Sequence, residues 1–407
     1  MRKTWRSGLL AAGLLASAGL TAACGDSGAD GGDDAFVIGV IEDKSGGSTF
    51  YSQTSVGALK VFVKALNDGE TGYGTELVGT EKGILGQDVE LLFEDDQNNP
   101  NNTTLKVRSL IDRGADVIYF TSGSSSTLQG RSVCTQEKIF CFAPTNVNAA
   151  IVEEPNNEFV FTAAPPSSLS AQVYVDAWED AGYRTIAFFD EETATSVAVA
   201  DAYKAVAEKA GLQVVAEETL AAGGRDVTAP VARVLEKDPD VVFDATQQAA
   251  ESGALFKGLR QAGSTVPVWS QNSLTAQPRA WEIAGPAIDG VLVVDPLSPT
   301  NPRAVEVGQL LADGGNDEHL TFIQTSVWDA LLLTKKAFED AGELDGAKAV
   351  AALEKITDFP GATGQESFRY SFAADRHNGS RADQNVVVAF ADGKPSKLPA
   401  ELQPAAE

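Results

Sequence analysis

Short apolar runs, each followed by a helical stretch, occur in two successive series, and no other feature constrains this chain as much. The first series holds Phe36–Ile41, Val89–Phe93, Val117–Thr121, Ile139–Ala143 and Phe159–Thr162. Runs this short and this rich in Val, Ile and Phe read as strands buried on both faces, as in parallel sheets. Between them the period changes. Val56, Leu59, Val63 and Leu66 form one apolar stripe at helical spacing over residues 52–67. Asn99 and Pro100 supply a cap and a first helical residue, and Gly114 a stop, for a helix ending at Arg113.

A second series follows Pro165-Pro166, with strands Thr185–Phe189, Gln213–Glu217, Val241–Phe243, Val266–Trp269 and Val291–Val294. Its helices cover 169–181, 197–210, 227–237 and 249–262, and Gly182, Gly211 and Gly263 follow three of them. Three more helices, over 303–311, 321–341 and 346–356, precede a last strand, Asn385–Phe390, and a Pro-rich tail. Residues 68–82 are Gly-, Thr- and Glu-rich and are expected to form a surface loop. Two βα series imply an α/β chain with two parallel-sheet lobes, and 407 residues exceed one ordinary core.

The N-terminus reads as an export signal. Arg2, Lys3 and Arg6 precede an uncharged run from Gly8 to Leu20, and small residues, Ala22-Ala23, stand before Cys24. The apolar run is shorter than the roughly 20 residues that span a bilayer comfortably. Leu20-Thr21-Ala22-Ala23-Cys24 resembles the lipobox of bacterial lipoproteins, which implies cleavage after residue 23 and diacylation of Cys24. Two acyl chains suffice for stable anchoring. Residues 24–35 are dominated by Gly and Asp, the composition of a flexible acidic tether. The chain carries a net charge of −26; losing the three positive residues of the leader takes it to −29. Nucleic acid and anionic lipid surfaces are therefore excluded as natural partners.

Cys134 and Cys141 stand seven apart in a chain expected to be exported. A disulfide closing a helix-to-strand loop is expected, with two buried thiols as the alternative. No metal site is expected: there is no CxxC, and His319 and His377 are far from the cysteines. Both histidines lie in polar stretches and are expected to be solvated. Nothing matches a GxSxG elbow, a Walker A loop or GxGxxG, so neither an enzyme nor a cofactor is expected.

Ligands of open parallel sheets bind off the carboxyl ends of the strands. That rule selects the loops 42–51, 121–127, 144–148, 190–196, 244–248 and 270–275. The strongest is Thr121-Ser-Gly-Ser-Ser-Ser-Thr127, which leaves a strand and opens a helix, a natural receptor for a carboxylate or carbonyl oxygen. Thr145 and Asn146 are expected to face the same pocket. Thr195, Gln247 and Asn272 are the candidates from the second series. Trp328 could line the cleft or pack in the core.

The order of these pieces resembles the branched-chain amino-acid (leucine-binding-protein-like) type of solute-binding protein of ABC transporters. The matching segments are 36–41, Gly83–Leu91, Glu94–Pro100, Phe159–Pro166, Ala284–Val294 and Ser326–Ala330. The resemblance implies a type I periplasmic-binding fold with a three-strand hinge. One lobe would comprise 36–163 plus 297–383, the other 164–296 plus 384–396, with 397–407 a tail. It implies that Ser124 and Ser125 hold a ligand carboxylate and that Phe50 and Tyr51 supply a covering aromatic. It also implies hinge closure around a small polar ligand, an ABC permease as partner, and a monomer on the outer face of the cytoplasmic membrane. A ligand-sensing receptor component is the alternative. The sequence departs from the family at the ammonium partner, where Gln271-Asn272-Ser273 replaces an acidic residue; Asp43, Asp190 or Asp244 could take its place.

Overall fold

The computed structural model describes residues 35–397 except 193, 222, 225 and 317. The leader, Cys24, the tether up to residue 34 and the tail from 398 lie outside the described residues.

Strands β1 (Phe36–Glu42), β2 (Val89–Asp95), β3 (Val117–Phe120), β4 (Phe140–Ala143) and β5 (Val160–Thr162) form one parallel sheet in the order β2-β1-β3-β4-β5. Helices α1 (Thr49–Asp68), α2 (Thr75–Val78), α3 (Pro100–Asp112) and α4 (Ser124–Glu137) connect them. After α5 (Ser167–Asp180) the second sheet collects β6 (Thr185–Glu191), β7 (Gln213–Leu220), β8 (Val241–Asp244), β9 (Val268–Ser270) and β10 (Leu292–Asp295). Its helices are α6 (Ala194–Lys209), α7 (Thr228–Leu235), α8 (Ala249–Gln261) and α9 (Pro278–Ala284). Helices α10 (Pro302–Asp313), α11 (Phe322–Ala341) and α12 (Gly346–Leu353) then return to the first sheet, with a small hairpin of β11 (Phe359–Pro360) and β12 (Arg369–Tyr370). The chain ends in the second sheet with β13 (Val386–Ala391) and β14 (Lys394–Lys397), giving the order β14-β13-β10-β9-β8-β6-β7.

Alternation along each strand explains why helices cover both faces. Phe36, Ile38, Val40, Phe140 and Phe142 pack on the side of α1 and α11. Ile41, Ile118, Phe120 and Cys141 face the opposite way, toward α3 and α4. The second sheet has two cores on the same principle, one around Phe189, Val242 and Val293, the other around Tyr174, Trp178 and Phe243. The anticipated stripe of α1 (Val56, Leu59, Val63, Leu66) is buried, and Asn99 caps α3 by accepting from the Asn101 N–H. Cys134 and Cys141 form a disulfide joining α4 to β4, their Cα atoms 6.3 Å apart.

The chain passes between the sheets three times, after β5, after β10 and before β13. Hydrogen bonds tie the third crossing to the first, and the second to the segment between β11 and β12. The Gln384 side chain donates to Ala163 O at 2.8 Å, and the Gly364 N–H donates to Pro296 O.

Several expectations need correction. The tail begins with a strand: β14 pairs antiparallel with β13, and its Pro395 is tolerated because an edge strand leaves one row of donors unused. The segment 68–82 is not a plain surface loop. Thr71 is buried, residues 72–74 form a 3-10 turn, α2 follows, and the Tyr73 hydroxyl donates to Asp329. His377 is buried rather than solvated. Its ring stacks on Phe161 with centroids 4.0 Å apart, and Nε2 lies 3.0 Å from Glu354 Oε1. Of the two readings left open for Trp328, the core is the one found: it packs against Phe62 at 4.9 Å.

Candidate functional site

Strand order places the site. In the first sheet the direction of winding reverses between β1 and β3, so the loops after those strands diverge and leave a crevice. In the second sheet the reversal lies between β6 and β8. The loops after β1, β3, β6 and β8 are therefore the natural walls of a cleft.

Three loops of the first sheet are knitted together. Asp43 is fully buried at the end of β1. Its Oδ1 accepts from the N–H groups of Ser45 (3.1 Å) and Gly46 (2.5 Å), and its Oδ2 from Ser48 (2.8 Å). Asn98, held at positive φ after β2, accepts from the Gly123 N–H at 3.1 Å. A Cβ on Gly123 would stand 2.4 Å from that same Asn98 oxygen and 2.7 Å from Ser48 Oγ, so only glycine permits this close approach. Asp96 accepts from the Ser122 hydroxyl at 2.7 Å. Two features of the Thr121–Thr127 loop are thus scaffold: the Gly123 N–H and the Ser122 hydroxyl are consumed within the protein.

What remains open is the head of α4. Its first intrahelical acceptor, Gly123 O, serves Thr127, so the N–H groups of Ser124, Ser125 and Ser126 have no acceptor inside the helix. Ser124 is half-buried and Ser125 exposed. The Ser126 hydroxyl is fully buried and has no hydrogen-bond partner. Beside it, Asn146 donates through Nδ2 to Ser122 O and to Thr127 Oγ1, both at 3.0 Å, while its Oδ1 is buried and unpartnered. Thr145 is buried next to it. Buried polar atoms without a partner are costly, of the order of 1–3 kcal/mol each, and mark places where a ligand can complete the set. Ser126 escaped the sequence reading because all three serines looked equivalent; only the pitch of the helix turns the third inward.

Phe50 and Tyr51 open α1 at the rim and meet edge to face at 5.5 Å. Phe50 is 45% exposed and Tyr51 half-buried. Desolvation and the charge of nearby Asp295 push the Tyr51 phenol up to about 12. That places an aromatic of the first sheet's layer beside the hinge of the second.

On the second sheet, Gln247 and Asn272 are both half-buried, on the loops after β8 and β9. Gln271 is occupied, donating to Ala245 O and Thr246 O. Thr195 lies in the first turn of α6, and its side chain is outside the described residues. Of the three acids considered as ammonium partners, two are engaged elsewhere. Asp43 organises its own loop, as above. Asp244 is fully buried and accepts from the Thr246 N–H, the Thr246 hydroxyl and the Ser270 hydroxyl. Asp190 is buried and bonded to Thr219, but its Oδ1 is left without a partner, and desolvation raises its pKa.

Sequence comparison adds an independent line. A profile of the periplasmic binding protein family matches residues 36–393. A Brucella melitensis protein named Leu/Ile/Val-binding protein homolog 3 is 25% identical over 279 residues, 68% of this chain and 74% of that one. A Pseudomonas aeruginosa leucine-, isoleucine-, valine-, threonine- and alanine-binding protein is 23% identical over 303 residues, 72% of this chain and 78% of that one. Among solved structures, the branched-chain amino acid transporter substrate-binding protein LivJ of Streptococcus pneumoniae, in complex with isoleucine, superposes with a TM-score of 0.70 at 17% identity, covering 89% of this chain and 98% of that one. A leucine-binding protein of Thermotoga maritima gives 0.68 at 20% identity, covering 89% and 98%. These likenesses show the type I fold with two lobes. The relatives are named as binding proteins, not enzymes.

Proposed function

The chain belongs to the periplasmic binding protein family, and we propose that it is the substrate-binding component of an ABC importer, anchored through a lipid on Cys24 outside the cytoplasmic membrane. It captures a small polar solute between lobes 36–163 plus 297–383 and 164–296 plus 384–396, which close about the three crossings. A permease receives the closed form, and the binding component acts as a monomer.

One observation carries the reading: the head of α4 offers three N–H groups and the unpartnered Ser126 hydroxyl as donors, with the unpartnered Asn146 Oδ1 as an acceptor. The donors suit a carboxylate or an amide carbonyl, since the positive end of the helix and neutral donors stabilise a ligand oxygen, while Asn146 Oδ1 accepts from a ligand N–H. Phe50 and Tyr51 cover the ligand, with Thr145 on the same side and Thr195, Gln247 and Asn272 opposite. Because Asp43 and Asp244 are engaged within the protein, the favoured ligand bears a carboxylate or amide; an ammonium would have Asp190, whose Oδ1 is buried without a partner, as its acceptor.

A thermal-shift screen tests this. The panel holds leucine, isoleucine, valine, urea, short amides, and aliphatic and aromatic acids. A cognate ligand at 100 times its dissociation constant stabilises by about 2.7 kcal/mol. A shift with acids or amides alone supports the reading. A shift with leucine or valine transfers the site to amino acids, and silence across the panel removes the proposal.

Ser126→Ala is the companion prediction. Loss of a hydrogen bond to a charged ligand group costs about 1.5–3 kcal/mol, so affinity for the ligand found should fall roughly tenfold to a hundredfold, measured by calorimetry. Unchanged affinity would mean the ligand does not reach the head of α4.

A further inference from the structure

A second cavity, of about 330 Å³, lies where the α9 region and the β13–β14 edge meet α10 and the loop that follows it. None of the residues proposed above to touch the captured solute lines it. Its volume is at the lower end of the range for small-molecule pockets, about 300–1,000 Å³. The walls are mainly apolar, from Trp281, Leu297, Val305, Leu320 and Pro395. Trp281 is fixed in place: its indole N–H donates to Leu274 O at 2.7 Å and its ring meets His319 edge-on at 4.8 Å.

The polar groups are few and unequal. Thr275 and Asp295 sit together, their side chains hydrogen-bonded to each other. Burial raises the Asp295 carboxyl to about 7, and burial also lowers the His319 imidazole, helped by the Lys394 cation. Lys394 makes no ion pair with any described residue. Burial favours the neutral forms of Asp295 and His319, which leaves Lys394 as the cation among the described wall residues. An apolar pocket with a single unpaired cation at its edge complements a molecule with an apolar body and one negative group.

We infer that this hinge cavity is a second binding site, separate from the cleft, for a small monocarboxylate with an apolar or aromatic body. The body lies against Trp281 and Leu297, and the carboxylate pairs with Lys394. Because the walls come from both sides of the hinge, an occupant touches both.

Histidine makes the test site-specific, because the chain has only two, His319 in this cavity and His377 buried elsewhere. The untagged protein, labelled at the histidine rings, is titrated with benzoate at pH 6 and followed by NMR. The His319 resonance should shift saturably while that of His377 stays put. Lys394→Gln should weaken benzoate at least about fivefold, and benzamide should bind wild type and this variant alike. Val305 is 61% exposed at the mouth, so Val305→Trp should fold normally and abolish the His319 response. A His319 resonance that does not move, or benzoate affinity that survives both substitutions, overturns the inference. A thermal shift by benzoate without a His319 response assigns benzoate to the cleft, which also overturns it and leaves the proposed function intact.

Discussion

Asp295→Asn should stabilise the protein at pH 8 by an amount on the order of 3–4 kcal/mol and leave it nearly unchanged at pH 4. Asp295 ends β10, is buried, and accepts from the Leu297 N–H at 2.6 Å. Its other oxygen lies against Thr275 Oγ1, which is also 2.7 Å from Asn272 O. One hydroxyl proton cannot serve two acceptors. A carbonyl can only accept, so Thr275 donates to Asn272 and a protonated Asp295 donates to Thr275. Burial favours that same neutral form and raises the carboxyl to about 7, against an ordinary value near 4. The folded state then keeps a proton that the unfolded chain releases. Stability from this group is full below about pH 4, declines as pH rises, and levels off above about pH 7. Asparagine reproduces the neutral form, with Nδ2 donating to Thr275 and Oδ1 accepting from Leu297. Melting temperatures of both proteins from pH 4 to 8 provide the measurement. The difference between them cancels the other titrating groups. A gap that is the same at every pH, or a variant less stable at pH 8, would refute the protonated hinge.

The second large effect is expected at Asp329→Ala. Asp329 sits inside α11 with no exposed surface, and its two oxygens accept from five donors. These are the Ala362 N–H at 2.9 Å, the Thr363 N–H at 3.3 Å, the Thr363 hydroxyl at 3.2 Å, the Tyr370 hydroxyl at 2.9 Å and the Tyr73 hydroxyl. Burial raises the Asp329 pKa, and the donors oppose that rise. Two of them are backbone N–H groups that have no other role and cannot turn away. Each orphaned buried donor costs about 1–3 kcal/mol, so the alanine variant should lose several kcal/mol in urea unfolding. The turn at residues 72–74 should become susceptible to proteolysis at the same time. A loss below about 1 kcal/mol would show that the network rearranges.

Most of the architecture was legible because it rests on local periodicity. The buried runs became β1 to β10 and β13 with ends within about three residues, and the Asn99 cap and the α1 stripe are where spacing puts them. Extra length appeared where a strand continued into the cleft, as at Asp190 and Glu191, whose acidic character argued for a loop. Their side chains are buried by loops distant in sequence. The edge strand β14 was hidden by Pro395, which argues against a central strand but not against an edge. His377 looked solvated among Asp375, Arg376 and Asn378, yet its partners, Asn157, Val160, Phe161 and Glu354, lie as many as 220 residues away.

The candidate site divides in the same way. Strand ends, the helix opening after Gly123 and the scarcity of acids near Asn272 follow from residue order, because a βα unit always presents its loop at the strand's carboxyl end. Which polar atoms are free does not follow. Gly123 N–H is taken by Asn98, Asp43 by its own loop, and Asp244 by Ser270, whereas Ser126 and the Asn146 carbonyl are left over. A hydrogen bond depends on a separation of about 3 Å and on direction, and such separations arise only when loops from different strands converge. Sequence alone determined the α/β class, the two series of strands and the strand ends that frame the candidate cleft. The tertiary structure decided which donors remain for that ligand, the proton on Asp295 and the cavity beside Trp281, because each depends on groups brought together by packing rather than by spacing.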